Sequence, residues 1–194
     1  MVIVCATNIR KHGRIFVLIC DFDDLTSEDG WFIDKLKELK AINPLFKCTV
    51  FIIPGKCSRD FFCSIPGWIE KAAHGWNHEH NYECLNWSYD EAIKLFLWCN
   101  QAGFAGVFKA PGWQISKETR KAALDLKWII ADNPNYKQDR LPGERIYDHT
   151  EYGDKAHHGH VQDVCGNGLM QTWDYLVNRI KNETDFRFIS EIVK

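Results

Sequence analysis

The amino-acid sequence predicts an α/β fold built on a parallel sheet or barrel. Apolar, strand-like runs alternate with helix-like segments along the whole chain, which is the pattern of α/β proteins. Polar clusters follow several of the strand-like runs, where open α/β sheets and barrels place their sites. The length of 194 residues fits one domain, so we treat residues 1–194 as a single domain.

The composition excludes several other classes of protein. Hydrophobic residues make up 45% of the chain and charged residues 26%, which excludes disordered, collagenous and coiled-coil proteins. The net charge of −2 shows no basic excess, so we expect no nucleic-acid partner. No apolar run approaches the roughly 18 residues of a membrane helix, and no signal peptide is visible, so we expect a cytoplasmic protein away from membranes. The oligomeric state stays open.

The first half of the chain contains two clear strands. Residues 14–20 form a continuous apolar run, typical of a strand covered on both faces, which leads into Asp21, Phe22, Asp23 and Asp24. Residues 31–42 show a helical rhythm of apolar side chains. Residues 48–53 form a second strand that ends at Pro54. Residues 59–73 are predicted to be a helix interrupted at Pro66 and Gly67.

The second half repeats the alternation. Ser88, with Glu91 three residues later, is a capping box that opens a helix to about residue 101. Ser116 caps another helix through residue 126. Strands are predicted at residues 106–109, 128–132, 145–147, 157–161 and 186–189, with a long polar loop at 133–154 and a helix at 169–181.

Two groups of residues have the composition of a metal site. Asp21, Asp23 and Asp24 lie together at the end of the first predicted strand, although capping of a helix is an alternative role for them. His74 and His78 are spaced i, i+4, which would place both imidazoles on one face of a helical turn, where one divalent ion could accept both. Two unrelated loop histidines are the alternative interpretation.

Two further segments have residues suited to catalysis. His157, His158 and His160 follow one another near a strand end, which suits either a general acid or a metal-prone surface tract. Lys109 ends another strand, where a lysine usually keeps its charged head in solvent. Trp113 follows it, and would be a core residue or a substrate platform.

In order, these segments resemble the polysaccharide deacetylase family, also called the NodB-homology family. Asp21-Phe22-Asp23-Asp24 matches the family's Thr-Phe-Asp-Asp motif, and His74 to His78 matches its His-x-x-x-His motif. Lys109-Ala110-Pro111 matches its Arg-x-Pro motif with one change. His160, with His158 as the competing candidate, matches its closing strand-end histidine. The resemblance spans about residues 14–165.

The resemblance implies a distorted (β/α) barrel of about seven parallel strands with a divalent metal, zinc being our expectation. It implies that Asp24, His74 and His78 bind the metal. Asp23 would be the general base, and His160 would be the general acid. Lys109 would orient the base, and we assign substrate binding to Pro111, Trp113 and Asp132.

Two residues depart from the family pattern. Asp21 stands where the family has Thr, and Lys109 stands where it has Arg. Lys keeps the positive charge but lacks the bidentate fork of a guanidinium.

The resemblance implies an enzyme that removes an N-acetyl or similar small acyl group from an amino sugar or oligosaccharide. Two alternatives stay open. One is a hydrolase of the same fold that cleaves another C–N bond, such as a formamide or a cyclic imide. The other is a metal-binding or glycan-binding protein with weak catalysis.

Overall fold

The computed structural model describes residues 17–133, 135, 139–164 and 166–193. Residues 14–16 of the predicted first strand lie outside this range. Eight strands form one sheet: β1 (Val17–Leu25), β2 (Cys48–Ile52), β3 (Ile69–His74), β4 (Val107–Lys109), β5 (Ile129–Asp132), β6 (Arg145–Asp148), β7 (Ala156–His160) and β8 (Asp185–Arg187).

The strands are all parallel to their neighbours. Seven of them follow the order β6-β5-β4-β3-β2-β1-β7, and β8 pairs with the first three residues of β1. Strands β6 and β7 end this path, and no pairing between them closes the sheet within the described part of the chain. The prediction of a distorted (β/α) barrel of about seven parallel strands is therefore confirmed.

Helices lie in most of the connections between successive strands, as parallel pairing favours. Their bounds are α1 (Gly30–Ile42), α2 (Arg59–Ser64), α3 (Tyr89–Gln101), α4 (Lys117–Asp125), α5 (His149–Tyr152), α6 (Trp173–Ile180) and α7 (Ile189–Ile192). The predicted capping box of α3 is present, with Ser88 and Glu91 bonding reciprocally to backbone N–H groups. The predicted cap of α4 is also present, because Ser116 accepts from the Thr119 N–H.

The two faces of β1 pack against different parts of the protein, because successive side chains point to opposite faces of a strand. Leu18, Cys20 and Phe22 join the large apolar core. Ile19 joins a smaller cluster of residues from six strands and α7, made of Ile19, Phe51, Ala72, Val107, Ile129, Ala131, Tyr147 and Ile189. Asp21 and Asp23 continue the face of Ile19 toward the strand's carboxyl end. The apolar cluster thus fills one end of the curved sheet, and the acids lie at the other.

One predicted element is wrong. Residues 69–73, expected to be helical, form most of β3, which pairs with both β2 and β4. Its Glu, Lys and Ala residues favour a helix, but the strand position between two parallel partners overrides that preference. The predicted helix at residues 169–181 is shorter and begins at Trp173.

No helix within the described ranges is long and apolar enough to cross a membrane. The six cysteines that the structure describes are free thiols: Cys20, Cys48, Cys57, Cys63, Cys84 and Cys99.

Candidate metal centre and active site

A cleft opens at the carboxyl ends of the strands and has a volume of about 550 Å³. Its walls come from the ends of β1, β3, β4 and β7 and from the loops that follow the strands. The residues that line it are Asp23, Asp24, His74, His78, Asn81, Lys109, Ala110, Gly112, Trp113, Asn133, His158, His160 and Val164. Seven of the nine residues predicted for the site therefore meet in one cavity.

Asp24, His74 and His78 converge on one point of the cleft, and we call them the Asp24 group. The Nε2 atoms of His74 and His78 each lie 3.3 Å from Oδ1 of Asp24. One side-chain atom from each of the three residues falls within 4.8 Å of the other two. This is the donor set of one carboxylate and two imidazoles that the sequence predicted.

The backbone brings these side chains together in an unexpected way. Asp24 has a φ of 75°, and the pairing register of β1 shifts between Phe22 and Leu25. This irregularity turns the Asp24 carboxylate into the cleft beside that of Asp23. In a regular strand the two side chains would point to opposite faces of the sheet. The predicted helical turn for the histidine pair is wrong. His74 ends β3, and His78 lies in the following loop with a φ of 49°.

The hydrogen bonds of the Asp24 group fit a cation. Nδ1 of His74 lies 2.9 Å from the Lys109 carbonyl oxygen, to which it can donate, so Nε2 presents its lone pair to the cleft. Oδ1 of Asp24 is buried and has no hydrogen-bond partner within the described residues. Nε2 of His74 and Oδ1 of Asp24 thus face each other as acceptors, and Nε2 of His78 lies 3.3 Å from the same oxygen. A divalent ion would satisfy all three atoms.

The electrostatics of the group agree with this fit. Burial raises the pKa of Asp24, but the neighbouring imidazoles of His74, His78 and His160 outweigh it and lower that pKa to about 2. Burial lowers the pKa of His74, but the carboxylates of Asp24 and Asp23 raise it above its ordinary value. The carboxylates therefore stabilise positive charge beside His74, whereas burial and the neighbouring His74 lower the pKa of His78 and favour its neutral form.

Glu83 holds the loop that carries His78, and no pattern in the sequence selects this residue. Its two carboxylate oxygens accept hydrogen bonds from the backbone N–H groups of Trp76, Asn77 and His78, at distances of 2.9–3.3 Å. Three successive N–H groups thus form a small anion-binding nest around one carboxylate. Gly75, with a φ of 60°, lets the chain turn tightly against Glu83 and Pro111.

We expect Glu83→Gln to weaken metal binding by about 10- to 100-fold, the usual cost of losing a group that orients a ligand. Glutamine offers only one acceptor oxygen to three donors, so His78 would lose its fixed position. Competition with a chromophoric chelator measures the affinity. Glu79→Gln, at an exposed neighbouring position, is the matched control, and an equal effect of both variants would contradict the role of Glu83.

Lys109 is buried and joins two acids of β1. Its Nζ donates to Oδ2 of Asp21 at 2.8 Å and to Oδ1 of Asp23 at 2.7 Å. It also lies 4.0 Å from the centre of the Phe51 ring. Burial lowers the pKa of Lys109, but Asp21 and Asp23 raise it above the ordinary value. The ammonium group of Lys109 therefore does not lie in solvent, as that of a lysine at a strand end usually does.

The two residues that depart from the deacetylase motifs, Asp21 and Lys109, are hydrogen-bonded to each other. Asp21 adds a buried carboxylate, and Lys109 supplies a compact cation that reaches both Asp21 and Asp23. Burial raises the pKa of Asp21, but Lys109 and His158 lower it well below the ordinary range. The Asp21 and Lys109 replacements therefore compensate each other electrostatically.

We expect Lys109→Met to lower the free energy of unfolding by about 3–5 kcal/mol, because it leaves two carboxylates buried without their cation. Chemical denaturation at neutral pH measures the change. Lys121→Met is the control, since the Lys121 side chain is 59% exposed. A Lys109→Met protein as stable as the control would contradict the ion-pair role.

His158 and His160 form the opposite wall of the cleft. Nδ1 of His158 lies 2.8 Å from Oδ2 of Asp21, and its Nε2 lies 3.8 Å from Oδ2 of Asp23. Nδ1 of His160 lies 2.7 Å from Oδ1 of Asn167, and its Nε2 lies 4.0 Å from Oδ2 of Asp24. Both candidate acids therefore reach the cleft, each held from behind by an oxygen acceptor.

The three residues assigned to substrate binding have different positions. Trp113 lines the cleft with a φ of 62°, an unusual backbone conformation for a large side chain. Pro111 starts the helical turn Pro111–Trp113 and is buried outside the set of lining residues. Asp132 is also buried outside that set, where its carboxylate accepts from Arg120 and Arg140. Asn81 and Asn133 line the cleft and were not predicted.

Comparison with known proteins places the fold. No protein-family model and no curated protein sequence matches the chain. The structure is similar to a family 4 acetyl xylan esterase from Clostridium thermocellum in complex with a cobalt ion (TM-score 0.56, 15% identity, 90% of this chain and 89% of that one). It is also similar to the chitin deacetylase of Colletotrichum lindemuthianum (TM-score 0.57, 12% identity, 93% of this chain and 88% of that one).

A third similar structure is a family 4 carbohydrate esterase pseudoenzyme from Bacillus anthracis (TM-score 0.58, 13% identity, 94% of this chain and 66% of that one). The chain thus has the fold of the family 4 carbohydrate esterases, which is the NodB-homology polysaccharide deacetylase fold. The resemblance seen in the sequence is confirmed at the level of the fold.

Proposed function

We propose that this protein is a metal-dependent hydrolase that removes an N-acetyl or similar small acyl group from an amino sugar or oligosaccharide. The observation that carries the proposal is the Asp24 group with the Asp23 carboxylate beside it, in a cleft at the strand ends of a carbohydrate esterase fold. The chemistry follows from what each side chain can do at its position.

The Asp24 group would hold one divalent ion, and we propose zinc. One carboxylate and two imidazoles suit zinc and leave coordination positions open, as catalytic sites require. When bound, the ion would act as a Lewis acid on the acyl carbonyl and on the attacking water.

Asp23 is the proposed general base, acting through Oδ2. Lys109 donates to Oδ1 at 2.7 Å, which fixes the plane of the carboxylate. Oδ2 is left to take a proton from the attacking water. The family's guanidinium is replaced here by a single ammonium, which holds the base through one hydrogen bond.

His160 is the proposed general acid, acting through Nε2. Asn167 holds its Nδ1, so Nε2 faces the cleft next to Asp24 and can give a proton to the leaving amine nitrogen. His158 is instead tied to Asp21 and lies beside the base. We therefore give His158 a positioning role within the Asp21 and Lys109 network.

We expect His160→Ala to lower kcat by about 10²–10⁴-fold, the usual contribution of a general acid. His158→Ala is the matched control, from the same strand and the same wall of the cleft, and should cost less. Steady-state kinetics on one working substrate compares the two. A larger loss in His158→Ala would transfer the acid role to His158.

The substrate class is tested by product release. Zinc-loaded protein should release acetate from N-acetylglucosamine oligomers and leave a free amine at each site of cleavage. Acetylated xylan, a formamide and a cyclic imide are offered in parallel under the same conditions. Release of formate, or ring opening of the imide, without acetate from the amino sugar would favour the alternative C–N hydrolase.

A second candidate function is metal or glycan binding with weak catalysis. Two observations favour it: the fold is also that of a pseudoenzyme, and Asp21 and Lys109 depart from the deacetylase motifs. Stoichiometric zinc together with sugar binding, and no turnover of any of these substrates, would support this function instead.

A further inference from the structure

We propose that the cleft has a second, weaker site for a divalent metal ion, formed by Asp23, His158 and His160. We call these three residues the Asp23 group. Each offers one ligand atom, and the three atoms lie within 4.8 Å of one another. The group combines one carboxylate with two imidazoles, the same donor set as the Asp24 group on the facing wall.

The histidines of the Asp23 group are oriented as metal ligands are. Metal-binding histidines typically donate their second ring N–H to a carboxylate or another oxygen acceptor. Here Nδ1 of His158 lies 2.8 Å from Asp21, and Nδ1 of His160 lies 2.7 Å from Asn167. With Nδ1 as the donor in each ring, Nε2 is the atom that presents a lone pair toward the cleft.

The carboxylate of the group also has a suitable atom. Lys109 holds Oδ1 of Asp23, and Oδ2 lies 3.8 Å from Nε2 of His158. The rings of His158 and His160 are 5.2 Å apart. These spacings are wide enough for an ion to enter between the donor atoms and narrow enough for all three to contact it after small side-chain movements.

The net charge of the side chains around the cleft determines which of the two groups binds a metal ion first. The cleft and the ion pair behind it contain the carboxylates of Asp21, Asp23 and Asp24 and the ammonium of Lys109. With neutral imidazoles, these four groups sum to −2, which one divalent ion neutralises. A second ion would enter a neutral cleft with the Lys109 ammonium 2.7 Å from its carboxylate ligand. The Asp24 group should therefore fill first, and the Asp23 group should bind more weakly.

The second ion has a consequence for activity, which rests on the proposed function. It would occupy Asp23 and His160, the proposed base and acid, so metal in excess of one equivalent should inhibit turnover. The binding itself does not depend on turnover, and stoichiometry can be measured whether or not a substrate is known.

Equilibrium dialysis against buffered free zinc, followed by elemental analysis, tests the proposal. Wild-type protein, stripped of metal beforehand, should bind one ion tightly and a second with at least about tenfold lower affinity. His158→Ala should lose the weaker ion and keep the tight one. Asp23→Asn is a second variant that should do the same, and circular dichroism verifies that both proteins fold. His80→Ala, an exposed histidine outside both groups, should keep two ions.

Two outcomes would overturn the proposal. Saturation of the wild type at one ion would show that the Asp23 group binds no metal. A second ion retained by folded His158→Ala and Asp23→Asn would be adventitious. Loss of the tight ion from His78→Ala, with the weaker ion retained, identifies the two sites separately. Two bound ions, together with no turnover even at one equivalent of zinc, would contradict the deacetylase function and still support the second site.

Discussion

Asp23→Asn is expected to lower kcat by about 10²–10⁴-fold, the usual cost of losing a general base. The amide keeps the shape of the carboxylate and can no longer accept the proton at Oδ2. Lys109 still has Asp21 as an ionised partner, at 2.8 Å, so the fold should remain intact. Steady-state kinetics on a working substrate at one equivalent of zinc provides the measurement.

This variant separates catalysis from binding of the tight ion. Asp24 and the two histidines of its group are unchanged, so zinc in the Asp24 group should remain stoichiometric. Asp34→Asn, on the exposed face of α1, is the control, because its side chain is 72% exposed. Wild-type activity in Asp23→Asn would disprove the proposed deacetylase mechanism.

His74→Ala is expected to abolish tight zinc binding and, with it, turnover. His74 is the buried member of the Asp24 group, and Phe51 and the Lys109 carbonyl hold its ring in place. Loss of a metal's Lewis-acid contribution, worth several kcal/mol, corresponds to a rate decrease of roughly a thousandfold or more. Metal analysis and kinetics on the same preparation measure both effects.

His80→Ala is the matched control for His74→Ala, because His80 lies in the same loop region but outside both metal groups. It should bind zinc and turn over substrate as the wild type does. Unchanged zinc affinity in His74→Ala would mean that the tight ion lies elsewhere.

Much of the fold is predictable because its signals are local. The apolar run of β2, the capping box of α3 and the Ser116 cap of α4 all depend on residues close together in the sequence. Strand β3 is different, since its residues Glu70 to Ala73 favour a helix, and only pairing with β2 and β4 makes it a strand. The mistaken helical turn for His74 and His78 follows from their i, i+4 spacing, which a strand end and the loop after it can also provide.

The identities of the site residues are more predictable than their contacts. Motif order was enough to select the Asp24 group, Asp23 and Lys109. The Asp21 contacts to Lys109 and His158 join residues 88 and 137 positions apart, and no local pattern reveals such pairs. Glu83 follows His78 by five residues without a periodic or capping signal. Its hydrogen bonds to the loop backbone can therefore be recognised only from the structure.

The central claim is that Asp24, His74 and His78 hold the tight metal ion. The most direct measurement is a crystal structure of the protein loaded with one equivalent of zinc, with anomalous data collected at the zinc edge. We predict one strong anomalous peak, about 2.0–2.1 Å from Nε2 of both His74 and His78 and at a similar distance from the Asp24 carboxylate. A peak at any other position, or none beside Asp24 in protein that binds zinc stoichiometrically, would contradict the assignment of the metal centre.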